Sequence, residues 1–143
     1  MGVNVTAIAA SGLQAQRIRM QVISANLANI QTTHGPNGKP YQRQVPILTA
    51  VPVGNEFEVE LDQQRKLYAV RVEQVKGADR EPLWVYDPGH PDADEQGYVS
   101  MPNINLVEEM TDMLNAARSY EANLASLQTA RNLDKQALDL GKS

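Results

Sequence analysis

Apolar residues recur at alternating steps of four and three near both ends of the 143-residue chain, and this spacing is typical of a heptad stripe on a helix. The stripes predict one long helix over residues 4–30 and a second over residues 104–140. Gln16 is the one polar break in the first stripe. The stripes consist of Ala9, Leu13, Met20, Ile23, Leu27 and Ile30 in the first helix, and of Leu106, Met110, Met113, Ala117, Tyr120, Leu124 and Leu127 in the second.

The second stripe changes phase after Leu127, where its register would place Arg131 and Asp134. Apolar residues continue instead at Ala130, Leu133, Ala137 and Leu140, and such a change of phase alters either the local supercoil or the face that meets a partner. Two interpretations of the stripes are open: the core of a coiled-coil-like hairpin within one molecule, or contacts between molecules. They are compatible, because the outer faces of a hairpin remain available to neighbours.

The second helix carries end signals of its own. Asn105 followed by Glu108 resembles a capping box, in which the first side chain caps the helix and the second reaches back to it. Gly141 fits the position just past the last helical residue.

The middle of the chain is rich in Gly and Pro and alternates apolar and polar residues over short stretches. This alternation predicts strands at 45–51, 57–61 and 68–72, with a shorter one at 83–86. The fold class is therefore α+β, with long terminal helices and a small β-rich middle. The expected division is terminal helices at 1–30 and 103–143, an extended arm or linker at 31–52, and a small β-rich outer region at 53–102.

Composition and charge narrow the classes of partner. Aromatic residues make up only 5% of the chain, so aliphatic side chains must supply the core. The formal net charge is -4 and no run of Lys or Arg exceeds two, which argues against nucleic acid or an anionic membrane as the main partner. Without cysteine, disulfides and thiolate metal sites are excluded. The N-terminal segment lacks the basic leader and continuous apolar core of a cleaved signal peptide.

The sequence offers little for catalysis. The two histidines, His34 and His90, each lie in a Gly/Pro loop. No nucleophile elbow, phosphate-binding loop or zinc-binding helix motif accompanies them. We therefore expect no enzyme activity, no catalytic residues, no cofactor, no metal and no small-molecule substrate.

The loop at 87–98 is the one candidate for a metal. Counted from Asp92, Asp94 and Gly97 fall at the third and sixth positions of a calcium-binding loop, but the twelfth position is Asn103 instead of the bidentate Glu. The alternative is a series of tight turns whose Asp side chains bond local amides. A calcium-responsive or adaptor coiled-coil binding module therefore stays open as a second function.

Segments at both ends of the chain resemble a known family. Ala10–Arg17 and Ser24–Asn29 resemble the N-terminal signature of the flagellar axial proteins, which comprise rod, hook and hook-associated subunits. Residues 108–110 and 117–123 resemble the C-terminal signature of the same family. In the middle, 38–44, 86–94 and 97–103 are similar to a rod member. The residues that carry the motifs are Ser24, Asn26, Asn29, Tyr86, Asp87, Pro88, His90, Asp92, Gly97, Glu109, Tyr120 and Asn123.

The resemblance implies a structural subunit of the bacterial flagellar basal body. Such a subunit is exported through the flagellar type III apparatus without a cleaved signal, and it polymerises into the proximal rod, a hollow shaft that crosses the periplasmic space. The rod transmits torque for motility and passes exported subunits. The implied partners are other copies, other rod proteins of the FlgB, FlgF, FlgG and FliE types, and indirectly the membrane ring. The terminal helices would form the inner layer and the β-rich region the outer one.

Overall fold

The computed structural model describes residues 2–53 and 67–141, and it confirms the predicted α+β fold. Within those ranges the chain forms long helices at both ends and two small antiparallel sheets between them. The predicted strand at 57–61 lies outside the described residues. The elements are α1 (Gly2–Ala28), β1 (Gln44–Pro52), β2 (Tyr68–Gly77), β3 (Leu83–Tyr86), β4 (Tyr98–Met101) and α2 (Leu106–Leu140).

The first sheet pairs β1 with β2, from Gln44 opposite Gly77 to Pro52 opposite Tyr68. Its register shifts between Ile47 and Leu48, which leaves Glu73 as an extra residue in β2. The segment predicted as an extended arm thus includes a strand of this sheet.

The second sheet pairs β3 with β4, from Leu83 opposite Met101 to Tyr86 opposite Tyr98. The short strand β3 was predicted from its alternation. Strand β4 was not predicted as a strand, because its four residues follow directly on a loop rich in turn residues.

The two helices pack side by side and run in opposite directions. Three contacts show this direction: Asn123 lies against Gly12, Asp112 pairs with Arg19, and Glu109 bonds to Asn26. Residue numbers therefore increase along one helix as they decrease along the other. Helix α1 also packs on the first sheet, where the Val70 amide donates to the Ser11 hydroxyl over 3.1 Å. Because α1 is covered on two sides, it buries more than its predicted stripe: Ala9, Ala15, Val22, Ile23 and Asn26 are all buried.

The face that helix α2 turns to α1 coincides only in part with its apolar stripe. Glu109 and Ala116 are fully buried, whereas Met110 is 58% exposed and Leu124 is 38% exposed. The other stripe residues, apart from exposed Leu106, are half-buried: Met113, Ala117, Tyr120 and Leu127. The difference arises because a carboxylate with partners takes an inner position that the pattern would assign to an apolar residue.

The ends of α2 are formed largely as predicted. The Asn105 side chain accepts hydrogen bonds from the amides of Val107 and Glu108, at 2.9 and 3.2 Å. The capping box is not completed, because the Glu108 carboxylate binds Arg80 instead of reaching back. Gly141 follows the helix in a right-handed conformation and donates its amide to the Ala137 carbonyl. No helix among the described residues has the length and hydropathy needed to cross a membrane.

Gly12 allows the two helices to approach closely. A Cβ atom at this position would lie 2.8 Å from Nδ2 of Asn123, closer than van der Waals contact permits. A small residue on α1 at this level is therefore what lets Asn123 lie flat against the helix.

We expect Gly12→Leu to lower the free energy of unfolding by about 1–3 kcal/mol, because the added side chain forces Asn123 and its helix outward. Urea unfolding of the purified chain measures the change. The matched control is Ala10→Leu, an exposed position on the same helix, which should stay within about 0.5 kcal/mol of the parent. Equal stability of all three proteins would contradict the close approach.

Candidate functional site

A buried polar junction joins both helices to the segment that enters β1, and its centre is the Asn26 side chain, 1% exposed. Its Nδ2 donates to the Gln44 carbonyl at 2.9 Å and to Oε2 of Glu109 at 3.0 Å. Its Oδ1 accepts from the Gln44 amide at 2.8 Å and from the Tyr41 hydroxyl at 3.1 Å. Every donor and acceptor site of this amide is therefore used.

The Glu109 carboxylate is fully buried, so its negative charge needs a cation and hydrogen-bond donors close by. One oxygen accepts from Asn26, and the other accepts from Nε of Arg43, whose side chain is only 10% exposed. The same guanidinium lies 3.5 Å from Asp112 and 3.6 Å from Glu108. The Arg43 guanidinium thus lies among three carboxylates at the start of α2, and the buried charge of Glu109 is paired and hydrogen-bonded.

The charges around the junction extend to the surface. Two nitrogens of Arg80 donate hydrogen bonds to the Glu108 carboxylate, at 2.8 and 3.1 Å. This hydrogen bonding lowers the pKa of the Glu108 carboxyl below its ordinary value of 4.5. Burial, and secondarily the charge of Glu109, raise the pKa of the Tyr41 hydroxyl. Tyr41 therefore stays protonated at neutral pH and can donate to Asn26.

Helix α1 ends just before Asn29, the second asparagine of the Ser24–Asn29 segment. Nδ2 of Asn29 donates to the Ala25 carbonyl at 2.9 Å, and its Oδ1 accepts from the Thr32 hydroxyl at 3.1 Å. The Thr32 amide donates to the Asn29 carbonyl in turn. These bonds turn the chain out of the helix and towards the junction.

The loop between β3 and β4 is built from tight turns. Oδ1 of Asp94 accepts from the amides of Gln96 and Tyr98, at 2.9 and 2.8 Å, and Oδ1 of Asp87 accepts from the Gly89 amide. Nδ1 of His90 accepts from the amide of Asp92 at 3.1 Å. The aspartates thus bond local amides, and the described residues contain no cluster of three or more acidic or histidine side chains suited to a metal ion.

Gly97 closes this loop in a conformation that other residues rarely adopt, with φ of +82°. A Cβ atom here would lie 2.9 Å from the Tyr86 ring and 3.1 Å from Pro88. The loop is tied to the exit of α1, because the Thr33 hydroxyl donates to Asp92 over 2.6 Å. The motif residues of the middle region therefore shape one rigid loop.

The structure brings together only some of the residues singled out in the sequence. Asn26 and Glu109 meet in the junction, whereas Ser24 is exposed on α1. Of the stripe residues on α2, Leu106 is 52% exposed and Tyr120 is half-buried. That the stripe residues contact other molecules remains a prediction.

Sequence reasoning did not single out Tyr41, Arg43 or Gln44 as members of a site. All three lie in the segment 38–44 that resembles a rod member, but this resemblance gives no hint of a partner on a helix 66 positions away. Gln16, the polar break in the first stripe, has a buried Oε1 without a hydrogen-bond partner among the described residues.

The helices and the junction together indicate a structural class of protein. Two long antiparallel helices are pinned at one end by a satisfied polar junction, and most of their outer surface is left open. The junction is saturated with internal bonds and presents no reactive group, so it positions structure and does no chemistry. This is the design of a subunit that is completed by neighbours.

Comparison with known proteins identifies that class. Residues 7–36 match the family model of the flagella basal body rod proteins, and residues 95–140 match that of the flagellar basal body rod FlgEFG protein C-terminal region. The chain is 42% identical over 141 residues to the flagellar basal-body rod protein FlgC of Borreliella burgdorferi, covering 92% of this chain and 91% of the relative. It is 39% identical to FlgC of Aquifex aeolicus, covering 97% and 96%. For FlgC of Salmonella typhimurium the identity is 36%, covering 97% of each chain.

These matches place the molecule among the flagellar basal-body rod proteins. Because the identity extends over nearly the whole of both chains, the chain belongs to the FlgC family. It is a structural subunit of the flagellar basal-body rod and not an enzyme.

We expect Asn26→Ala to lower the free energy of unfolding by about 2–4 kcal/mol, because it leaves an oxygen of Glu109, the Tyr41 hydroxyl and the Gln44 backbone without partners in a buried site. Urea unfolding of the purified chain is the measurement. Ser24→Ala, two residues away and exposed, serves as the control and should leave stability within about 0.5 kcal/mol. Similar stabilities for the two variants would show that the junction does not hold the fold.

Proposed function

We propose that this chain polymerises into the proximal part of the rod, a hollow shaft that transmits torque and passes exported subunits, and that its stripe residues are contacts in that assembly. The proposal rests on how few residues of α2 are buried. Of its 35 residues only Glu109 and Ala116 are buried, which is far too few for a helix that completes a monomeric core.

The exposed area supports the same conclusion. The chain has an accessible surface of 10383 Å². A compact monomer of 15.7 kDa would expose about 7300 Å² by the usual scaling with mass. The surplus of roughly 3100 Å² is in the range that permanent complexes bury between their subunits.

The exposed apolar side chains of α2 are concentrated at its two ends. The first turns expose Leu106 (52%), Val107 (70%), Met110 (58%) and Leu114 (52%). The last turns expose Leu133, Leu138 and Leu140, at 61–77%. Because the contacts between the helices place these two groups at opposite ends of the pair, each subunit offers separate apolar surfaces to different neighbours. Contacts between unlike surfaces build a filament when their rotation does not close a ring.

The proposed layout is the one that the resemblance to the flagellar axial proteins implies. The terminal helices, residues 1–30 and 103–143, form the inner layer, residues 31–52 an arm and residues 53–102 the outer region. The proposed partners are further copies of this chain and rod proteins of the FlgB, FlgF, FlgG and FliE types, with the membrane ring as an indirect partner. The chain reaches the periplasmic part of the rod through the flagellar type III apparatus without cleavage of a signal.

Met110→Asp tests the proposal, because the side chain is exposed in the single subunit and would be buried in the rod. We expect the variant to keep the circular dichroism and unfolding midpoint of the parent, since no core contact changes. A strain that lacks the gene and carries this variant should be non-motile, because a charge buried without a partner opposes assembly by several kcal/mol.

The matched control is Met110→Leu, which keeps the volume and apolar character of the side chain and should restore motility. Electron microscopy of isolated basal bodies should show rings without a completed rod and hook in the Met110→Asp strain. Complete basal bodies and full motility with Met110→Asp would place this face outside the assembly and contradict the proposal.

A further inference from the structure

The β3–β4 hairpin carries an unusual concentration of aromatic side chains on one face. Trp84 is 65% exposed, Tyr86 is 64% exposed and Tyr98 is 41% exposed, and together they are three of the seven aromatic residues in the chain. Strand alternation and the pairing of Tyr86 with Tyr98 put all three on the same side. We call these three residues the aromatic patch.

The aromatic patch is preformed. The rings of Tyr86 and Tyr98 meet edge to face, with centroids 5.3 Å apart and an interplanar angle of 64°. Gly97 fixes the loop beneath them, as described above. Large aromatic side chains held rigidly at a surface lose little conformational entropy on binding, which makes them frequent anchors of protein interfaces.

The surroundings of the patch are acidic. Residues 78–105 contain six Asp and Glu side chains and one basic residue, Arg80, which is already bound to Glu108. Glu81 and Glu95 are exposed close to the patch in the chain. A partner surface should therefore be apolar at its centre and positive at its rim, and a guanidinium there could also lie over an aromatic ring.

A groove on another part of the same chain is apolar at its centre and has cations close by. A cavity of about 460 Å³ lies between α1 and the first sheet and is lined by Ser11, Ala15, Ile18, Val51, Ala69 and Arg71, among others. We call it the α1–sheet groove. Its lining is mainly apolar, and the first 55 residues of the chain contain no Asp or Glu.

The rim of the α1–sheet groove is positive. Arg71 is exposed at the groove, Arg17 is exposed on the neighbouring turn of α1, and neither forms an ion pair with another described residue. The groove thus matches the aromatic patch in polarity and charge. Among the described residues, the second sheet does not pack closely on α1 or on the first sheet, so it leaves the groove uncovered.

From this match we infer that the aromatic patch of one copy docks in the α1–sheet groove of the next copy, with Trp84 as the anchor. The contact uses different surfaces on its two sides, so its repetition leads from subunit to subunit around or along the shaft. The inference rests on the proposed function and adds the pair of surfaces through which like subunits meet.

Photo-crosslinking in assembled rods tests this contact. Position 84 is replaced with the photoreactive aromatic amino acid p-benzoyl-L-phenylalanine in a strain that lacks the wild-type gene, and isolated basal bodies are irradiated. The expected product is a dimer of this chain, with the crosslink mapped by mass spectrometry to residues 11–18 or 69–72. The same probe at Tyr86 provides a second position on the patch, and at exposed Arg118 on α2 it should give no crosslink to the groove.

A charge reversal gives an independent readout. Arg71→Glu, combined with the probe at position 84, should reduce the dimer yield about five-fold or more, because the rim then repels the acidic hairpin. Lys76→Glu, exposed on the same strand but outside the groove, should leave the yield unchanged.

Each other outcome overturns the inference. A crosslink from position 84 or 86 to a different rod protein or to another segment of this chain would assign the patch to another partner. Assembled rods without a crosslink at either position would remove the contact altogether. Failure of the proposed function would look different, since the unmodified chain, carrying a small epitope tag, would then be absent from isolated basal bodies.

Discussion

The buried contact between Asn26 and Glu109 sets the geometry on which the rest of this fold depends. A carboxylate without any solvent exposure costs several kcal/mol unless it is paired in place. Among the described residues, Asn26 from α1 and Arg43 from the segment before β1 meet that need. The end of α1, the entry to β1 and the start of α2 must therefore converge at one point.

This constraint also decides which surfaces remain open. With Glu109 turned inward, its neighbour Met110 points away from α1 and stays exposed. The fully buried Ala116 and the close approach at Gly12 then keep the helices near each other along the rest of their contact. No other described residue covers the apolar residues displaced outward, so the subunit keeps exposed apolar surface that we propose its neighbours cover.

The sequence was sufficient for the long helices, the α+β class and most strand positions, since periodicity is a local signal that short segments carry by themselves. The cap at Asn105 followed from the same local chemistry. The face of α2 that meets α1 was only partly deducible, because the pattern assigns inner positions to apolar residues, whereas Glu109 takes one of them. The partners that allow Glu109 to be buried come from segments 66 and 83 positions away. Asn26 was singled out through a motif, but its contacts with Tyr41 and Gln44 required the three-dimensional arrangement.

We propose that the core of this fold is completed by assembly. Electron cryomicroscopy of isolated basal bodies at side-chain resolution tests that claim most directly. We expect Asn26, Arg43 and Glu109 to keep their mutual contacts in the rod while the exposed apolar residues of α2 become buried against neighbouring subunits. A rod in which those residues face water, or in which the junction has opened to let the helices repack, would contradict it.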